Sequence, residues 1–205
     1  MKYLFSIYFL FVAHVLCAQN NYFYINLDVN QPLSGNSWIG NNSSAKGARI
    51  GYRAFINEGD RFSLGVDFNF TSYNRYHPTE VFQNPGGATS TDYYNYLYQY
   101  GLTVSGQYYF PVGNGEHFFP YVGLGVGGNH HEYTQYYNIY SDIDKKWGFL
   151  ARPEAGIVIR FVKNRSIGAL AALHYDYTTN KSEKFNVSSF SSVGFQIGLV
   201  FMNRY

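Results

Sequence analysis

Cysteine is almost absent from this 205-residue chain: there is one, Cys17. A fold built without it, downstream of the N-terminal stretch, has no disulfide to rely on. Charge is scarce as well. Asp, Glu, Lys and Arg make up 14% of residues, where about a quarter is usual in soluble domains. A net charge of +2 and the lack of any run of five basic residues give no pointer to a nucleic-acid partner. Beyond the N-terminus no stretch approaches the ~18 to 20 consecutive apolar residues of a spanning helix. No heptad pattern and no long amphipathic helix appears. The glycines alternate along a strand instead of opening a helix, which leaves no phosphate-binding loop.

What the chain has is Tyr, Phe and Gly, at 22, 18 and 21 residues. That composition suits strands and turns. The first 18 residues, MKYLFSIYFLFVAHVLCA, read as a secretory signal peptide: Lys2, an apolar Tyr3 to Leu16, then the small Ala18. Cys17 raises a lipid-attachment alternative. His14, Val15 and Leu16 precede it where a small residue is expected, so cleavage near Ala18 is preferred. The expected division is residues 1–18 as signal peptide and 19–205 as one exported domain.

The remainder alternates apolar and polar residues between turn signals. Strands are expected at 22–30, 47–56, 61–72, 94–110, 118–130, 148–161, 167–178 and 190–204. Short links (57–60, 111–117 and 162–166) alternate with long ones at 31–46, 73–93, 131–147 and 179–189. Short turns at one end and long loops at the other suit an all-β, eight-stranded, antiparallel up-and-down transmembrane β-barrel. A soluble eight-stranded barrel has the same alternation with its apolar face inward. The chemistry of the faces separates the two. Phe62, Leu64, Val66, Phe68 and Phe70 stand against Ser63, Gly65, Asp67, Asn69 and Thr71, and the polar face is small and free of Lys. A water-exposed face normally carries Lys and Glu, whereas a crowded lumen takes small residues and paired charges.

Four arginines fall on the polar faces: Arg49, Arg53, Arg152 and Arg160. Four carboxylates match them: Asp28, Asp67, Glu154 and Asp176. Guanidinium forks fit carboxylates and dehydrate more cheaply than ammonium, so these eight are expected to form a lumen charge network. Aromatic residues gather at the strand ends: Tyr108, Phe110, Phe118, Phe119 and Tyr205 at one, and Tyr94, Tyr96, Tyr98, Tyr100, Tyr175 and Tyr177 at the other. Two interfacial girdles would place them so.

Three segments carry a resemblance: Gly47-Ala-Arg-Ile-Gly-Tyr-Arg-Ala54, Pro120-Tyr-Val-Gly-Leu-Gly-Val-Gly127 and the last strand. With them the chain from residue 19 resembles the small outer-membrane β-barrels of the porin-family or OmpA/OmpW-like type. The resemblance implies a location in the bacterial outer membrane, with its lipid and the barrel-assembly machinery as partners. Ile197, Leu199, Phe201 and Tyr205 match the C-terminal pattern by which such barrels are recognised for assembly; Asn203 departs from it. No wall-binding domain follows, so a wall-anchoring role is not carried over.

Fold does not fix function. The first reading is a non-enzymatic barrel with a structural, adhesive or recognition role, offering external ligands the loops 31–46, 73–93, 131–147 and 179–189. Tyr73, Tyr76, Tyr93, Tyr133, Tyr136, Tyr137 and Tyr140 lie in them. Eight strands leave an interior that side chains can fill. The second reading is a narrow channel or transporter for small or apolar molecules, with Gly123, Gly125, Gly127 and Gly128 leaving lumen space. The third is a lipid-modifying enzyme, for which His174 and Asp176 share an inward face but no Ser stands at a diagnostic spacing. Neighbouring His130 and His131, with Glu132, point to opposite faces and make a poor metal chelate. No cofactor is expected.

Overall fold

The computed structural model describes residues 20–33, 38–56, 59–84, 87–110, 117–137, 140–161 and 166–204. The expected signal peptide (1–18) and Tyr205 lie outside them. Eight strands run in chain order: β1 (Asn20–Pro32), β2 (Ser44–Phe55), β3 (Phe62–Asn84), β4 (Gly87–Tyr109), β5 (Phe118–Tyr137), β6 (Tyr140–Arg160), β7 (Ile167–Thr178) and β8 (Phe190–Arg204). Each pairs antiparallel with its neighbour, and β1 pairs with β8 to close the ring. Closure leaves no sheet edge within the ring, which is what a strand fold in lipid requires.

Alternation sets the two faces. On β8 Val193, Phe195, Ile197, Leu199 and Phe201 are exposed, while Ser192, Gln196 and Val200 between them are buried. The outer surface is apolar: Leu27 is 68% exposed, Leu173 65% and Leu102 60%. The buried set includes Arg49, Arg53, Asp67 and Arg152, each at 1% or less. A soluble protein would hide the first group and solvate the second, so the barrel is turned inside out for lipid. On β3 the apolar belt runs from Phe62 to Phe70, nine residues by number, and its ends pair with Tyr108 and Tyr100 of β4. About 9 to 11 residues span a bilayer.

Two expected long loops are largely strand. Residues 73–84 continue β3, and 87–93 begin β4. Residues 131–137 continue β5, and 140–147 begin β6. On the flanks, β2 pairs with β3 only up to Thr71 and β7 with β6 only from Leu150, so β3 to β6 continue past the ring as a four-stranded sheet. These segments are polar, which reads as loop, but their backbone groups are paired by neighbouring strands. The described residues 33 and 38–43, and the segment 179–189, are non-strand, apart from an isolated bridge between Ser182 and Val187.

Candidate functional site: a packed lumen and a raised sheet

The lumen is filled in layers. At the short-turn end Tyr22, Tyr109, Tyr121, Val158, Leu170 and Val200 pack together. Tyr109 Oη donates to Gln107 Oε1 at 2.6 Å, and Tyr22 Oη reaches the same oxygen at 3.0 Å. A cavity of about 20 Å³ remains beside Tyr22, Asp60, Phe119 and Arg160, room for about one water.

Above it lies a charge cluster centred on Asp67. Arg49 Nη2 and Arg53 Nη2 each donate to Asp67 Oδ2 at 2.8 Å. Arg53 Nη1, Ser105 Oγ and Tyr24 Oη also donate to this carboxylate. Arg49 Nη1 turns to Glu154, which Gln107 also bonds, with Gln196 Nε2 at 3.2 Å. Gly51 is the small residue that admits the cluster: a Cβ there would lie 2.6 Å from a ring carbon of Tyr24 and would strike Asp67. A second pair stands higher, where Arg152 grips Asp176 with Nε and Nη2.

The other two expected members stand apart. Asp28 is fully buried and neither carboxylate oxygen has a hydrogen-bond donor among the described residues; His174 Nε2 is 3.6 Å away. Arg160 sits at the short-turn end, its guanidinium 4.9 Å from the centre of the Phe119 ring. Phe119, expected in a girdle, is only partly exposed and packs against the inner cluster.

The far end is closed by a cap that the sequence reading missed. Trp38 and Ile39, from the β1–β2 connection, and Val187, from the β7–β8 connection, join Tyr73, Leu97, Tyr133 and Phe190. The Trp38 and Phe185 rings are 4.0 Å apart, and Trp38 Nε1 donates to the Tyr96 carbonyl at 3.3 Å. Tyr73 and Tyr133, read as loop tyrosines, are buried at 1% and 0%, and Tyr93 is nearly so. The glycines of β5 split in role. At Gly123 a Cβ would press within 2.8 Å of Gln107 and 3.3 Å of Glu154, and at Gly127 it would strike the Leu102 carbonyl. Gly125 has ordinary clearance, and Gly128 is exposed. Two of the four therefore relieve crowding.

The residues considered for chemistry are otherwise engaged. His174 is buried and bonded to the Asn30 amide oxygen at 3.1 Å, while Asp176 is held by Arg152. His131 is buried between Asn129 and Tyr133, whereas His130 faces outward, 4.8 Å from the Trp147 ring. Among the described residues no group of three metal-ligand side chains converges.

Beyond the ring the outer face of the raised sheet carries a cluster of aromatic residues. Tyr76 and Tyr94 rings lie 4.9 Å apart, Tyr96 and Tyr98 are stacked at 5.9 Å, and Tyr136 meets Tyr96 edge-on at 5.6 Å. Trp147 is 79% exposed. On the opposite face His77 stacks on Tyr93 at 4.4 Å, and Tyr93 Oη donates to Glu80 at 3.2 Å. Burial and the neighbouring Arg75 lower the His77 pKa below its usual value. The expected assembly residues Ile197, Leu199 and Phe201 face outward on β8, and the Phe201 ring meets Phe23 of β1 at 6.4 Å.

A closed ring of eight antiparallel strands, apolar outside and polar within, defines a small outer-membrane β-barrel protein. Solved structures agree on the fold. Neisserial surface protein A aligns with a TM-score of 0.60 at 16% identity, over 88% of this chain and 96% of that one. Ail, the attachment invasion locus protein of Yersinia pestis, aligns at 0.55 and 12% identity, over 90% and 99%. Ail in complex with the heparin analogue sucrose octasulfate aligns at 0.50 and 14%, over 90% and 99%. No family model and no curated protein matches the chain.

Proposed function

We propose that the protein is a non-enzymatic outer-membrane barrel whose working surface is the raised β3–β6 sheet, in a recognition or attachment role. The observation that carries this is the contrast between the two regions. The lumen is packed from Tyr22 to the Trp38 cap, while four strands extend past the ring to present a sheet. A conduit needs an open interior. The Arg49–Asp67–Arg53–Glu154 cluster is then structural, holding the strands in register from within. That an Ail structure shares the fold, and that its name refers to attachment, is in keeping with this reading.

The test is to shorten the β3–β4 hairpin between Tyr76 and Tyr94 to a tight turn. The variant is expected to keep its heat-modifiable mobility on gels while cells displaying it lose attachment to the surfaces that cells with the full chain bind. Undiminished attachment would move the function off the raised sheet.

A further inference from the structure

The outward aromatic residues reach higher than a membrane girdle requires. Cross-strand register sorts them into rows. Leu102 stands level with Phe149, at the top of the apolar belt, and Tyr100 with His130 and Trp147 in the row above. Three further rows follow: Tyr98 with Glu132 and Lys145, Tyr96 with Thr134 and Ile143, and Tyr94 with Tyr136. Two residues of a tilted strand rise ~5 Å along the membrane normal, so the last two rows stand about 10 and 15 Å above Trp147. The phospholipid headgroup layer is only ~5 to 7 Å deep. One row of aromatic rings fills it.

The upper rows would project into water over a phospholipid leaflet, and there Tyr94 and Tyr136 are 42% and 44% exposed. Their face is continuous with the lipid-facing belt, along the same even-numbered positions of β4 and β5. Whatever covers the belt's outer rim therefore extends upward along this face. The face is also close to electrically neutral. On it Lys145 pairs with Glu132 at 2.9 Å. A polyanion would find no surplus of positive charge. Aromatic rings suit a neutral sugar instead: their electron-rich faces attract the C–H bonds on the apolar side of a pyranose.

Resting on the raised-sheet reading, we propose that the outer face of the sheet binds the saccharide headgroups of outer-leaflet glycolipid. Tyr94, Tyr96, Tyr98, Tyr136 and Trp147 act as stacking platforms. This contact braces the sheet upright.

The test uses the whole refolded protein in vesicles of phosphatidylethanolamine and phosphatidylglycerol, with and without a rough lipopolysaccharide whose core carries neutral hexoses. Lipopolysaccharide is expected to raise the unfolding midpoint on heat-modifiability gels and to protect the exposed Trp147 from a water-soluble quencher. A Tyr94→Ser/Tyr96→Ser/Tyr136→Ser variant, altered only above the ring, is expected to fold but to bind glycolipid about ten-fold more weakly. Tyr98→Phe, which keeps the ring, is expected to bind as the wild type does. Equal protection in phospholipid alone would reduce the face to an ordinary girdle and overturn the proposal. So would undiminished binding by the triple variant, or equal protection by lipid-free oligosaccharide. The hairpin-shortening test reads attachment instead of glycolipid, so each reading can fail alone.

Discussion

Replacing Asp67 with Ala removes the centre of the lumen charge cluster. Five side-chain hydrogen bonds end on this carboxylate, two from Arg53 and one each from Arg49, Ser105 and Tyr24, joined by the ion-pair attraction of both guanidinium groups. Without Asp67, Arg49 keeps Glu154, but Arg53 loses the carboxylate it is bonded to at 0% exposure. Removing one partner of a buried ion pair costs ~3 to 5 kcal/mol, because the remaining charge stays desolvated. Water entering the vacated space lowers this toward the bottom of the range. The expected loss is therefore about 3 kcal/mol. The assay is urea unfolding in phospholipid vesicles, followed by tryptophan emission and by heat-modifiability gels. A double variant, Asp67→Ala with Arg53→Met, also removes the orphaned charge. It is expected to recover ~1 to 3 kcal/mol, the usual range for coupled neighbours. A loss below ~1 kcal/mol for the single variant, with no recovery in the double, would refute the reasoning. The lumen would then be hydrated enough to screen its charges.

Three other outcomes follow from the same structure. Val66 is 50% exposed at the middle of the apolar belt, so Val66→Arg is expected to cost ~2 to 4 kcal/mol in a bilayer; unimpaired folding into vesicles would reverse the assignment of faces. His77, above the membrane, has its pKa lowered from 6.5 by burial and Arg75. The folded form thus binds fewer protons than the unfolded one, and the contribution to stability is complete above pH 6.5 and lost as pH falls through the folded value. An NMR titration should place His77 below 6.5 and show Tyr93 shifts moving with it; a normal or raised value would contradict the stacked geometry. Phe201→Ser combined with deletion of Tyr205 is expected to lower insertion into the outer membrane of cells, read by surface protease accessibility, while refolding in vitro is retained. Unchanged insertion would remove these residues from assembly.

The barrel was legible in the sequence because its rule is local. Alternation with period two, such as Phe62 to Phe70 against Ser63 to Thr71, needs no knowledge of partners, and all eight strands lie close to their expected places. The faces were legible from the kind of charge on them, since Arg without Lys marks a crowded interior. The raised sheet was harder to see. Segments 73–93 and 131–147 are rich in polar residues, and their strand character comes from cross-strand pairing. One local signal was there: Tyr94, Tyr96, Tyr98 and Tyr100 alternate with Asn95, Leu97 and Gln99, without a break into the membrane strand. The cap was not legible. Trp38 meets Tyr133 and Phe185 only once the ring has closed, and nothing near Trp38 in sequence announces those contacts. The charge cluster was half legible. The eight residues could be named, but partners depend on height in the barrel, which leaves Asp28 beside His174 and Arg160 beside Phe119.

The central claim is a sealed barrel that works from its outer surface, and conductance tests it most directly. Refolded protein, confirmed as a barrel by its gel mobility, would be inserted into planar bilayers and recorded across a range of voltages. The account predicts insertion without steady current, because the tyrosine layer, the Asp67 cluster and the Trp38 cap block the lumen in series. Reproducible discrete openings would contradict it and turn attention to a path through the interior.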